Sequence, residues 1–280
     1  MSLSFGLLSA DAGAVSAPLL LQSLIAFVAY AAVAILSGRP APSVRVPLLI
    51  GWTAHGVSIV MDAAGVGMDN TGARFGFAPA LSVTLWLVIG VYMLESRFLP
   101  MLGVRRTLAV LGAVAVLLAA MFPGESRPHL ASAWIPLHWV LGIASYGLFG
   151  AAVLHAAMLN RADQQMRGMR AGKAGVPNAG MPLMRLERLT FQFVLAGFVV
   201  LSVALLLGAW FASPWRWDHK TVFSILGWCV FAALLAGRGA FGWRGPQATR
   251  WLYAGAGLLL LAYVGSRFVM EVVLHRGLLS

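Results

Sequence analysis

Long apolar stretches, each closed by a charge, a glycine or a proline, follow one another along almost the whole chain. A helix needs about 20 apolar residues to cross a bilayer, and eight runs approach that length, near 17–37, 47–66, 77–95, 106–122, 134–159, 189–211, 221–237 and 251–274. The pattern predicts an all-α polytopic membrane protein, a bundle of eight transmembrane helices forming a single integral-membrane domain over residues 1–280. The longest polar connection, 160–188, mixes Arg, Met, Gly and Pro and reads as a mobile basic cytoplasmic loop. A secretory signal opens with basic residues. Here the first is Arg39, after the first apolar run, so that run is expected to stay as a helix.

Composition supports this picture, and charge adds an orientation. Hydrophobic residues make up 60% of the chain and charged residues 10%, against about 25% charged in ordinary soluble domains. The net charge of +11 would suggest a nucleic-acid partner in a soluble protein, but its distribution has a topological reading. Arg39, Arg45, Arg97, Arg105, Arg106, Arg161, Arg167, Arg170, Lys173, Arg185, Arg188, Arg238, Arg244 and Arg250 fall in the connections after the odd-numbered helices. The opposite side holds Arg74, Arg127, Arg216, Lys220 and Arg276. Basic residues collect on the cytoplasmic side of membrane proteins, so both termini are expected on the outer, periplasmic side, with no role for nucleic acid. Cys229 is the single cysteine, which excludes an intrachain disulfide or CxxC pair.

With the helices oriented, the chemistry-bearing side chains gather at the outer face. His138 stands near the outer end of the fifth helix, between Trp134 and Trp139, and His275 ends the eighth. Between them in sequence lies AWFASPWRWDHK, with Trp210, Trp215, Trp217 and Asp218. Aromatic rings can stack on a porphyrin and neutral imidazoles can ligate its iron, so the cluster fits a haem site. Arg216, Lys220 or Arg267 could meet the propionates. The alternative is an ordinary interfacial tryptophan belt. Arg267, Glu271 and His275 are spaced i, i+4, i+8 and form one stripe on the last helix, either as an internal ion pair or as groups facing a ligand. His55, deeper in the second helix with Asp62 seven residues on, suits a buried hydrogen bond, a haem contact or a proton relay. His129, His155 and His219 are not expected to be ligands.

Several segments in order resemble the CcsA-type cytochrome c assembly proteins, a haem-handling family. GWTAHGV carries His55, LHWVLGIASYGLFG carries His138, WRWD carries Trp215, Trp217 and Asp218 of the family's tryptophan-rich signature, and YVGSRFVMEVVLHRG carries His275. The resemblance runs from about residue 47 to 280, with GWRG before the last helix. It implies that His138 and His275 are the external axial ligands of haem iron and that His55 is an intramembrane haem contact. Departures are visible. Ala236 stands where a second intramembrane histidine would fall, His219 replaces the proline after the signature Asp, and His275 matches its counterpart within about one residue.

The resemblance thus implies a compact haem-binding protein of the bacterial inner membrane. It would present haem b at the outer face to assembly components or apocytochrome c, with membrane lipid around it. It would act as an assembly factor or haem chaperone, supplying no thiols itself, rather than as a complete cytochrome c synthase. Two other classes remain open: a regulator of haem biosynthesis working through partner proteins, and a small-solute transporter using Asp62, Arg267 and Glu271.

Overall fold

The computed structural model describes residues 17–38, 41–64, 73–96, 102–123, 125–127, 134–170, 183–211, 217–269 and 272. The helices are α1 (Ala17–Ile35), α2 (Ala41–Ala63), α3 (Phe77–Glu95), α4 (Leu102–Met121), α5 (Trp134–Arg170), α6 (Leu183–Phe211), α7 (His219–Phe241), α8 (Gly245–Leu260) and the short α9 (Ser266–Phe268). Seven of them, α1 to α7, are long and apolar enough to cross a membrane among the described residues. The backbone of α8 does not stop at Leu260. It continues through a π-helical turn, Leu261–Gly265, into α9. The chain is therefore a polytopic α-helical membrane protein, and Leu24, Val60, Leu206 and similar apolar side chains are exposed on its surface.

Three connections differ from expectation. The 160–188 segment is shorter as a connection, because α5 runs to Arg170 and α6 begins at Leu183; residues 171–182 lie outside the described residues. The stretch RADQQMR consists mainly of residues that lose little side-chain entropy in a helix, and Arg167 Nε donates to Asp163 Oδ2 at 2.9 Å across one turn. The α2–α3 and α4–α5 connections meet as two antiparallel strands, β1 (Ala73–Phe75) and β2 (Glu125–Arg127), with Ala73 opposite Arg127. Three residues per strand are too few for a periodicity signal.

Without a hydrophobic force between helices in lipid, close packing depends on small residues that admit a partner's side chain. The fully buried Tyr30 of α1 lies against Gly51 of α2 and Gly112 of α4. Phe149 and Phe231 stack at 3.8 Å between α5 and α7, with Gly197 of α6 and Gly255 of α8 against their rings. Two buried clusters result. One joins α1 to α4 and takes in Met158 of α5 and Leu186 of α6, and the other joins α5 to α8. α3 packs against α5 and connects them.

The basic end of the bundle is tied by charge. Arg238 and Arg244 each reach Glu187 at 3.6 Å, and the Arg238 guanidinium lies 3.4 Å over Phe191. α7 ends there at Gly242, whose φ of 65° is a left-handed conformation that only glycine adopts without strain. At the opposite end, helices of both groups line an open space.

Candidate functional site

That space is a cavity of about 680 Å³, within the range of about 300–1,000 Å³ common for small-molecule and cofactor sites. Every long helix contributes to its wall. α1 and α2 supply Leu19, Ser58 and Asp62, and α3 and α4 supply Ser82, Val83 and Ala120. α5 supplies His138, Trp139 and Tyr146; α6 supplies Leu201, Ala204 and Leu205; α7 supplies Lys220; and the last helical segment supplies Leu259, Tyr263 and Arg267. The lining is mostly apolar, with one imidazole, two phenols and cations from two elements.

His138 occupies the second turn of α5, and its Nδ1 donates to the Ala204 carbonyl of α6 at 2.8 Å. A neutral imidazole that donates from Nδ1 carries its lone pair on Nε2. The side chain is thus held in the tautomer that a metal or a proton donor would use. One face of α5 brings His138, Gly142, Ser145 and Tyr146 to the cavity, and the Tyr146 hydroxyl donates to the Leu259 carbonyl at 2.5 Å. Lys220 Nζ lies 5.5 Å over the Tyr263 ring, a cation–π distance. The π-helical turn Leu261–Gly265 forms part of this wall, and such turns are frequent at functional sites.

The sequence-derived candidates separate in space. His138 and Arg267 come together in the cavity lining, with Lys220 and Asp62. His275, Glu271, His129, Trp215 and Arg216 lie outside the described residues. Trp210 and Trp217 have exposed side chains, 84% and 71%, and neither is part of the cavity wall. Asp218 caps α7, accepting from the Thr221 amide at 2.7 Å. His55 is fully buried. Its Nε2 is 2.7 Å from Ser82 Oγ and its Nδ1 is 3.2 Å from the Tyr30 hydroxyl. Ser82 lines the cavity, so His55 stands one hydrogen bond behind its wall and joins α1, α2 and α3. Of the stripe, Arg267 lies among the described residues, just after the π-helical turn Leu261–Gly265, and it lines the cavity.

Other polar features escape a reading by residue type. His155 is fully buried; its Nδ1 donates to the Ala151 carbonyl at 2.7 Å and its Nε2 pairs with Glu95 Oε2 at 2.7 Å. Trp52 and Trp86 stack at 4.8 Å, and each indole N–H donates to the other's backbone carbonyl, at 3.0 and 2.9 Å. Tyr146 had one available signal, since it falls eight residues after His138 on the same helical face. Nothing in the local sequence marks the π-helical turn.

A family model described as "Cytochrome C assembly protein" matches residues 44–274, which covers His55, His138 and the tryptophan-rich loop and stops one residue before His275. The chain belongs to the cytochrome c assembly protein family. Among its relatives, the inner membrane protein YpjD of Escherichia coli K12 is 33% identical over 56% of this chain and 60% of its own length. A cytochrome c biogenesis protein CcsA from Prochlorococcus marinus MIT 9515 is 29% identical over 51% of this chain and 53% of its own. The CcsA protein of Gloeobacter violaceus aligns more fully, at 24% identity over 84% of this chain and 89% of its own. The first matched relatives are thus aligned over little more than half of their length. No solved structure matches the chain.

Proposed function

We propose that this family member is an eight-span protein of the bacterial inner membrane, with both termini outside, that binds haem b at its outer face and assists cytochrome c assembly. The observation that carries the reading is His138. It lines a mostly apolar cavity at the end that the charge pattern suggests is periplasmic, and its Nδ1 is committed to the Ala204 carbonyl, which leaves the Nε2 lone pair available to a metal. The lining suits a porphyrin, a flat apolar plate with two anionic groups. The apolar wall takes the plate, and Lys220 and Arg267 take the propionates.

When bound, haem supplies iron with axial positions and two vinyl groups open to a partner's thiols. His138 and His275 would hold the haem iron, and Trp210, Trp215 and Trp217 would offer apolar rings to the porphyrin. Asp218 holds the start of α7 and with it Lys220. His55 senses the cavity through Ser82. With Cys229 as its single thiol, the chain presents haem to apocytochrome c or another assembly component and leaves thiol supply to the partner. Its chemistry is that of a chaperone for haem. Membrane lipid surrounds a single domain.

The test is an absorption spectrum of the detergent-purified protein, oxidised and reduced. A Soret band that shifts on reduction and is lost in the His138→Ala/His275→Ala double variant is expected, together with a defect in c-type cytochrome maturation. Wild-type protein without such a band after haem addition would overturn the reading.

A further inference from the structure

We infer that Gly208 and the Ala204 carbonyl, one turn apart on α6, form a seat that holds the His138 imidazole in one tautomer and one orientation, and so set its strength as a ligand. The inference rests on His138 being the iron ligand proposed above, and it concerns two residues to which the family resemblance gives no role.

Two independent features of α6 meet the same ring. The first is the hydrogen bond from Nδ1 to the Ala204 oxygen at 2.8 Å. In a helix that oxygen also faces the amide four residues on, which is that of Gly208, so both features stand on a single turn. The second is the missing side chain at Gly208. A Cβ placed there would meet Cε1 of His138 at 2.8 Å, Nδ1 at 3.3 Å and Nε2 at 3.6 Å. These are the three nearest atoms, and all belong to the imidazole. Small residues on membrane helices commonly admit a neighbouring backbone. At Gly208 the space is instead taken up by the edge of one functional ring.

The geometry has a chemical consequence. A carbonyl that accepts from Nδ1 draws that proton away and makes the far nitrogen a better donor; outer-shell partners of this kind tune affinity by about 10–100-fold. A methyl group at Gly208 must push the ring away from α6. The Nδ1 bond lengthens, the preference for the Nε2 lone pair weakens, and the imidazole plane turns. Gly208 and the Ala204 carbonyl act through the His138 ring and not on iron, so they are positioning residues.

The test uses the full-length protein in detergent, with Gly208→Ala as the perturbation and Gly257→Ala as a control, since nothing lies within 4 Å of a Cβ at Gly257. In the haem-free protein carrying ¹⁵N-histidine, wild type and control should show His138 as a single tautomer protonated at Nδ1. Gly208→Ala should show a mixture. In the haem-loaded protein, Gly208→Ala should raise the midpoint potential, because a weaker donor favours ferric iron less. Finally, His138→Gly should regain its low-spin spectrum with added imidazole, and combining it with Gly208→Ala should weaken that rescue about tenfold or more. An unchanged tautomer, potential and imidazole affinity in Gly208→Ala would overturn the inference. A wild-type protein that takes up no haem would instead overturn the proposed function, while the ¹⁵N measurement would still decide the seat. If Gly208→Ala fails to fold, the wild-type ¹⁵N spectrum decides the seat: His138 as a single tautomer protonated at Nδ1 supports the inference, and a mixture or a ring protonated at Nε2 overturns it.

Discussion

Replacing His55 separates a residue that ties helices together from one that touches iron. In His55→Leu two buried hydroxyls lose a partner, because Nδ1 faces the Tyr30 hydroxyl at 3.2 Å and Nε2 faces Ser82 Oγ at 2.7 Å. The two losses are unequal. Ser82 lines the cavity, where water can replace the imidazole, whereas Tyr30 is fully buried and is left with an unsatisfied group. An orphaned buried polar group costs about 1–3 kcal/mol, and interhelical hydrogen bonds in membranes average about 0.6 kcal/mol with a maximum near 1.7. Together these place His55→Leu at a loss of about 2 kcal/mol, most of it from Tyr30. Adding Tyr30→Phe removes the orphan, so the double variant should recover about 1 kcal/mol relative to simple additivity. Unfolding by SDS titration in mixed micelles, followed by tryptophan fluorescence, measures all four corners of the cycle. The Soret band at the outer site should survive in both variants. A His55→Leu protein with wild-type stability and no haem band would refute the assignment of His55 to the α1–α2–α3 junction.

Three further outcomes follow from the same structure. Asp218→Ala should destabilise the start of α7 by about 1 kcal/mol, the usual worth of an N-cap, and Asp218→Asn should cost less. Burial raises the Asp218 pKa, but the Thr221 hydrogen bonds and the charges of Lys220 and His219 outweigh it and hold the carboxyl below its ordinary value. The cap should therefore contribute fully above the unfolded pKa of about 3.9 and fade as pH falls through the lower folded value. Unfolding midpoints between neutral and acid pH will show this slope in wild type and its absence in Asp218→Asn. Trp52→Phe and Trp86→Phe should each cost about 0.5–1.5 kcal/mol, within the range for membrane hydrogen bonds and ring stacking. Their double-mutant cycle should show coupling, because each ring donates one of the two bonds and both rings form the stack; strict additivity would contradict a shared unit. Gly242→Ala should lose about 1–2 kcal/mol by forcing a side chain into the left-handed region, which thermal unfolding in detergent will detect.

Apolar periodicity carried most of the architecture, because a bilayer demands long helices with internally satisfied backbones and leaves few alternatives. The helix cores match the apolar runs, and the largest discrepancies fall at helix ends. α5 runs on to Arg170 and α6 starts at Leu183 because polar helix formers extend a helix beyond the lipid without changing the hydropathy. The site was legible in part. His138 stood out by residue type and flanking tryptophans, and it lines the cavity together with Arg267. Trp210 and Trp217 stood out equally, yet their rings face outward, since aromatic content says nothing about the direction a loop turns. Gly208 could not be singled out among 31 glycines, because its importance lies in a ring that another helix places against it.

The sequence by itself determined that this is a helical membrane protein, where its helices run, which end is basic, and that its candidate metal ligands are histidines without a thiol partner. All of these are properties of single segments: length, hydropathy, charge and residue type. Tertiary structure is needed to know that the helices enclose a cavity at one end, that His138 gives its Nδ1 to α6, that His55 is enclosed by Tyr30 and Ser82, and that a π-helical turn lies in the cavity wall. Those features depend on the angle and register at which helices meet. In lipid, small-residue contacts and polar bonds between segments distant in sequence set that geometry, and no single segment contains them.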